Sequence, residues 1–100
     1  MILIYITNPN KQIAVKIGKF LLEKRLCACI NIFPIESAYW WKGKIEQAKE
    51  WVLIVKTEES KYNKIKEEVK KIHPYTTPCI LKIKVDANKE YLNWLLGEIK

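Results

Sequence analysis

One hundred residues, 49% of them hydrophobic, suit a single folded domain over 1–100 and exclude a disordered chain. No window reaches the roughly 18 uninterrupted apolar residues of a membrane helix, and the opening MILIYITNPN is too short and lacks the basic start of a signal peptide. The net charge of +7 comes from lysines spread along the chain, with Arg25 the single arginine, which favours a solvated lysine surface over a nucleic-acid or membrane contact.

Three cysteines, Cys27, Cys29 and Cys79, are an odd number without CxxC spacing, so free thiols and a cytoplasmic location are expected. The abundance of Ile, Lys and Glu matches a thermophile's composition.

Met1 to Thr7 is a nearly continuous apolar run and reads as a central strand covered on both faces. Asn8-Pro9-Asn10 stops it and supplies the cap of a helix from about Lys11 to Leu26, with Ile13, Ala14, Ile17, Gly18 and Leu21 on one face. Gly18 within that stripe points to a close helix-sheet approach.

Cys27 to Thr57 reads as two long strands joined at Lys42-Gly43-Lys44. Cys27, Cys29, Asn31 and Phe33 share one face of the first arm. From Cys27 to Trp40 an extended chain spans about 46 Å. A compact domain of this size is only about 33 Å across. The hairpin therefore overhangs its own domain, and Ile35, Tyr39, Trp40, Trp41 and Ile45 on the overhang call for another subunit. The alternative is that Pro34 divides the first arm into two ordinary strands.

Thr57 or Ser60 is expected to cap a second helix ending near Ile72, with Tyr62, Ile65, Val69 and Ile72 inward. The loop from His73 to Pro78 carries two prolines and cannot continue it. Cys79 to Val85 alternates, with Cys79, Leu81, Ile83 and Val85 read as inward and Lys82 and Lys84 as outward. Asn88 is placed to cap a last helix over Lys89 to Ile99. The order of elements predicts an α+β ferredoxin-like fold, βαββαβ plus a C-terminal helix, with helices on one face of a mixed four-stranded sheet.

Catalytic chemistry is sparsely represented. One histidine, one aspartate, no glycine-rich phosphate loop and no paired-histidine spacing argue against an enzyme. Glu50 to Thr57 lacks the glycine and stacking aromatics of an RNA-recognition strand. Thr7-Asn8-Pro9-Asn10 lacks the arginine of an acylphosphatase-like phosphate loop. Thiolate and imidazole together suit copper or zinc, which makes Cys29 and His73 candidate ligands with Cys27 and Cys79 as possible additions.

Ala28-Cys29-Ile30-Asn31-Ile32, the stretch Ser37-Ala38-Tyr39-Trp40-Trp41-Lys42-Gly43-Lys44-Ile45, Lys56-Thr57, His73-Pro74-Tyr75, Pro78 and Tyr91-Leu92-Asn93-Trp94 resemble the CutA divalent-cation tolerance family, in order across essentially the whole chain. The resemblance implies a tight homotrimer whose hairpins extend into neighbouring sheets. It implies binding of copper and other divalent metals, a part in metal-ion tolerance, and no cofactor needed for folding. Cys29 and His73 are the copper positions that carry over. Thr76 and Cys79 stand where the family often has Glu, which shifts the expected preference toward thiophilic ions. The architecture is also similar to the PII signalling trimers, which bind small effectors between subunits. By that analogy Tyr39, Trp40, Glu50, Lys56, Thr57, His73, Tyr75 and Tyr91 line an intersubunit cleft for an anionic or planar ligand. A downstream protein partner is not named by any residue pattern.

Overall fold

The computed structural model describes residues 1–100. It contains β1 (Ile2–Asn8), α1 (Lys11–Glu23), β2 (Cys29–Trp41), β3 (Lys44–Thr57), a single 3-10 turn (Glu59–Lys61), α2 (Tyr62–Ile72), β4 (Ile80–Lys84) and α3 (Lys89–Glu98). The sheet order is β2-β3-β1-β4. Every adjacent pair is antiparallel, not mixed as the order of elements suggested. In a split βαβ plan the parallel pair β1 and β2 are parted by β3, which runs against both.

Ile2, Ile4 and Ile6 of β1 and Leu53 and Val55 of β3 pack under Ala14, Ile17 and Leu21 of α1 and Ile65 and Val69 of α2. Gly18 is the close-approach point, since a Cβ there would collide with Ile30 Cδ1 and crowd Leu53 Cδ1. Asn10 Oδ1 accepts from Ile13 N at 2.9 Å and starts α1 as its residue type dictates. The helix ends three residues before Leu26. Arg25 turns left-handed at φ 59°, its N–H reaches Leu22 O, and Leu26 N–H reaches Leu21 O. This is a Schellman closure without the usual glycine, so no residue signal announced it.

Neither Thr57 nor Ser60 caps α2. Thr57 Oγ1 donates to Leu26 O at 2.7 Å and Ser60 Oγ bonds Glu58 Oε1, while the 3-10 turn carries the chain into the helix. Asn88 stands at the start of α3 and its side chain donates to Glu90 instead of capping.

β4 alternates as expected but with its faces exchanged. Ile80, Lys82 and Lys84 lie beside Ile6, Ile4 and Ile2 on the helix side, while Leu81 (51% exposed) and Ile83 (43%) face the other way beside Tyr5 and Leu3. The start of α2 reaches this edge through Tyr62, whose hydroxyl donates to Ile80 O at 3.4 Å. Lys82 lies along that ring with its ammonium 5.0 Å from the ring centre and bonds Glu59 at 2.8 Å, so its charge stays at the surface.

Pro34 does not break β2, which runs unbroken for 13 residues with Pro34 opposite Trp51. β1 stops at Asn8, whose Nδ2 donates to Trp51 O. Beyond that row the seven pairs from Ile35↔Glu50 to Trp41↔Lys44 have no further strand beside them. They form a free ribbon about 23 Å long, and the molecule measures 45 × 25 × 21 Å. Lys42 (φ 51°) and Gly43 (φ 78°) make its two-residue turn, so Lys44 already belongs to β3.

Candidate functional site

A cleft of about 830 Å³ opens where the ribbon leaves the sheet, on the face away from α1 and α2. Strand alternation builds one wall. Ile35, Ser37, Tyr39 and Trp41 share a face of β2, and Glu50 sits opposite Ile35 on β3. Tyr5 and Thr7 of β1 form the floor, and the loop from Pro74 to Cys79 forms the second wall.

His73 anchors that loop. Its Nε2 lies 2.8 Å from Thr7 O, and Nδ1 accepts from Tyr75 N–H at 3.1 Å. With Nδ1 accepting, Nε2 is the donor to Thr7 O, and both ring nitrogens are engaged. Turning on that anchor, Tyr75 donates its hydroxyl to Glu50 Oε2 at 2.6 Å. Burial first, then the Glu50 bond, holds the Tyr75 phenol well above its usual range. Burial likewise raises the Cys79 thiol, against a hydrogen bond with Thr7 that lowers it.

A second group lies at the far end of the same face. Cys29 pairs with Lys56 across β2 and β3, Tyr91 of α3 lies beside Cys29, and the Lys56 ammonium stands 5.6 Å from the Tyr91 ring centre. From the Thr7↔Val52 row to the Cys29↔Lys56 row is four residues of β3, about 13 Å of strand. The candidate metal donors are thus spread: Cys27 does not share the face of Cys29 as expected but packs into the core before β2 begins, while His73 and Cys79 both lie by Thr7 at the other end. Cys27 is only 2% exposed, and burial, with Cys29 beside it, pushes its thiol up to about 12. Nowhere in the subunit do three His, Cys, Asp or Glu side chains come together as a metal cage.

Of the residues expected to line a cleft, Tyr39, Glu50 and Tyr75 do so. Trp40 lies on the opposite face of the ribbon, across from Ile45. Thr57 is fully buried, and Lys56 and Tyr91 belong to the Cys29 group. Tyr5, Thr7, Ile35 and Trp41 were not anticipated. The period-2 rule alone places Ile35 and Trp41 beside Tyr39, but nothing local reveals that β1 brings Tyr5 and Thr7 under them.

The sheet order, the helix layer, the overhanging ribbon and the cleft at its root define a ferredoxin-like α+β protein of PII-like architecture. The family model for the CutA1 divalent ion tolerance protein matches residues 2–98. The divalent-cation tolerance protein CutA of Thermotoga maritima is 55% identical over 96 residues, covering 95% of each chain. The solved structure of the periplasmic divalent cation tolerance protein CutA from Archaeoglobus fulgidus superposes with a TM-score of 0.97 at 49% identity over 100% of both chains. The PII-like protein CutA from Nostoc, in apo form, does so at 0.92 with 28% identity over 100% of this chain and 98% of that one. The chain belongs to the CutA divalent-cation tolerance family.

Proposed function

We propose that the protein is a homotrimer that binds divalent cations, copper foremost, and serves metal-ion tolerance by binding and not by catalysis. Family membership along residues 2–98 is the observation that carries this reading. The ribbon supports the assembly, since a two-stranded arm bearing Trp40 at 73% exposure gains stability only against another sheet. Cys29, like Cys79, is a half-buried soft donor, and the Cys29 Sγ lies 3.8 Å from Ile30 O. His73 joins a metal only by giving up one of its two ring hydrogen bonds. Because Cys29 and His73 sit about 13 Å of strand apart, a single ion held by both takes one donor from each of two subunits. Three unpaired thiols fit a reducing, cytoplasmic setting.

Native mass spectrometry of the reduced protein with stepwise copper tests both halves. A trimer taking up about one copper per subunit, with uptake lost in Cys29→Ala and His73→Ala, is the expected result. A monomer, or a trimer whose copper affinity is untouched by those substitutions, defeats the assignment.

A second reading rests on the cleft. Its volume of about 830 Å³ suits a small molecule, and Tyr39, Glu50 and Tyr75 line it. It fits a PII-like trimer that senses a small ligand between subunits. A ligand screen read by melting temperature separates the two, since small organic compounds raise it in one case and metals alone in the other.

A further inference from the structure

The charges of this chain are not shared evenly with its cleft. Eighteen lysines and arginines outnumber eleven acids overall, yet none of the fourteen residues lining the cleft is cationic. Glu50 lines it while only 5% exposed. Its carboxylate accepts the Tyr75 hydroxyl and takes no part in the ion pairs Arg25–Glu98, Lys64–Glu68, Lys71–Glu68 and Lys82–Glu59. The neighbouring Lys49 points to the other face of the ribbon, across from Glu36, which borders the cleft. Burying a carboxylate without a cation is costly, and one neutral hydrogen bond offsets little of it. A protein with a large surplus of lysines has left this acid unmatched.

The walls supply the second half. Tyr5, Tyr39, Trp41 and Tyr75 line the same space. Aromatic faces attract cations through their quadrupole, most strongly where water is excluded, and aromatic walls with a carboxylate recognise ammonium groups. We propose that the cleft binds a small organic ammonium ion, its cationic nitrogen against Glu50 and its carbon substituents against Trp41 and Tyr39. This deepens the small-ligand reading of the cleft and rests on it. The anionic ligand first expected there depended on Lys56, which lies at the other end of the face.

The test uses the whole chain in its native assembly. Ethylammonium and tetramethylammonium chlorides are titrated by tryptophan fluorescence and calorimetry against propan-1-ol and sodium acetate. The ammonium ions are expected to bind and the uncharged and anionic controls to leave the signal flat. Glu50→Gln, which keeps an acceptor for Tyr75, is expected to weaken binding about tenfold or more, as when one partner of a desolvated charge pair is neutralised. Trp41→Leu should weaken it while leaving Glu50 in place. Equal response to propan-1-ol or acetate overturns the proposal, as does an unchanged affinity in Glu50→Gln. If the ammonium ions fail but nucleotides or organic acids perturb the same signals, the cleft reading stands and the ammonium class falls. If nothing perturbs them, both fall. If wild type ignores ammonium and Glu50→Gln loosens the assembly in native mass spectrometry, a neighbouring subunit holds the carboxylate and the proposal is overturned.

Discussion

At the residue scale, the buried polar groups are the informative ones. Thr57 at the end of β3 donates to Leu26 O, pinning the turn after α1 to the sheet. Thr57→Val keeps the shape but leaves that carbonyl unpaired, and we expect a loss of about 1–3 kcal/mol in chemical denaturation. An unchanged midpoint would show that water replaces the bond. Cys27 gives a pH dependence whose sign is fixed by its raised pKa. Between the ordinary value of 9.0 and about 12 the unfolded chain has lost this proton while the folded chain keeps it. The folded state binds more protons there, so stability is fully present below 9 and falls as pH rises toward 12. Alkaline thermal melts should therefore decline less steeply over this range in Cys27→Ala than in wild type. Parallel declines would remove Cys27 as the cause.

At the element scale, α1 lies flat on the sheet because Gly18 has no side chain. A bulkier residue must push Ile30 and Leu53 aside or lift the helix. Gly18→Val is expected to cost about 1–3 kcal/mol by overpacking, measured as a lower denaturation midpoint with the helical circular dichroism retained. Were the variant as stable as wild type, the close approach would be dispensable. β4 shows the limit of alternation as a guide. Its two faces were legible from Ile80 to Lys84, but which of them met the helices depended on its register against β1. A one-residue change of register exchanges the faces with no change in the pattern itself.

At the scale of the whole molecule, the ribbon dominates. Trp40 and Ile45 face each other across it, 73% and 61% exposed, on the side away from the cleft. With trimerisation as proposed, replacing both by Glu should place charge in the contact and release monomers in native mass spectrometry, the subunit sheet remaining visible by circular dichroism. A variant that stays assembled as wild type does would assign the contact to the other ribbon face or to the exposed Phe33, Leu81 and Ile83.

The sequence by itself determined the order of elements, the split βαβ plan, the helix start at Asn10, the close approach at Gly18 and the overhang of the hairpin. Each depends on residues near one another in the chain or on the simple length of an extended run, and local chemistry suffices for both. Tyr39, Glu50 and Tyr75 came from the PII analogy, which named Trp40, Lys56, Thr57, His73 and Tyr91 with them. Only the tertiary structure decided that Tyr5 and Thr7 lie beneath them, that Cys29 and His73 belong to opposite ends of one face, and that Glu50 is buried without a cation. Those relations join residues dozens of positions apart through strand register and the loop anchored by His73. Register and loop anchoring are set by the packing of the whole sheet, and no short stretch of the chain contains them.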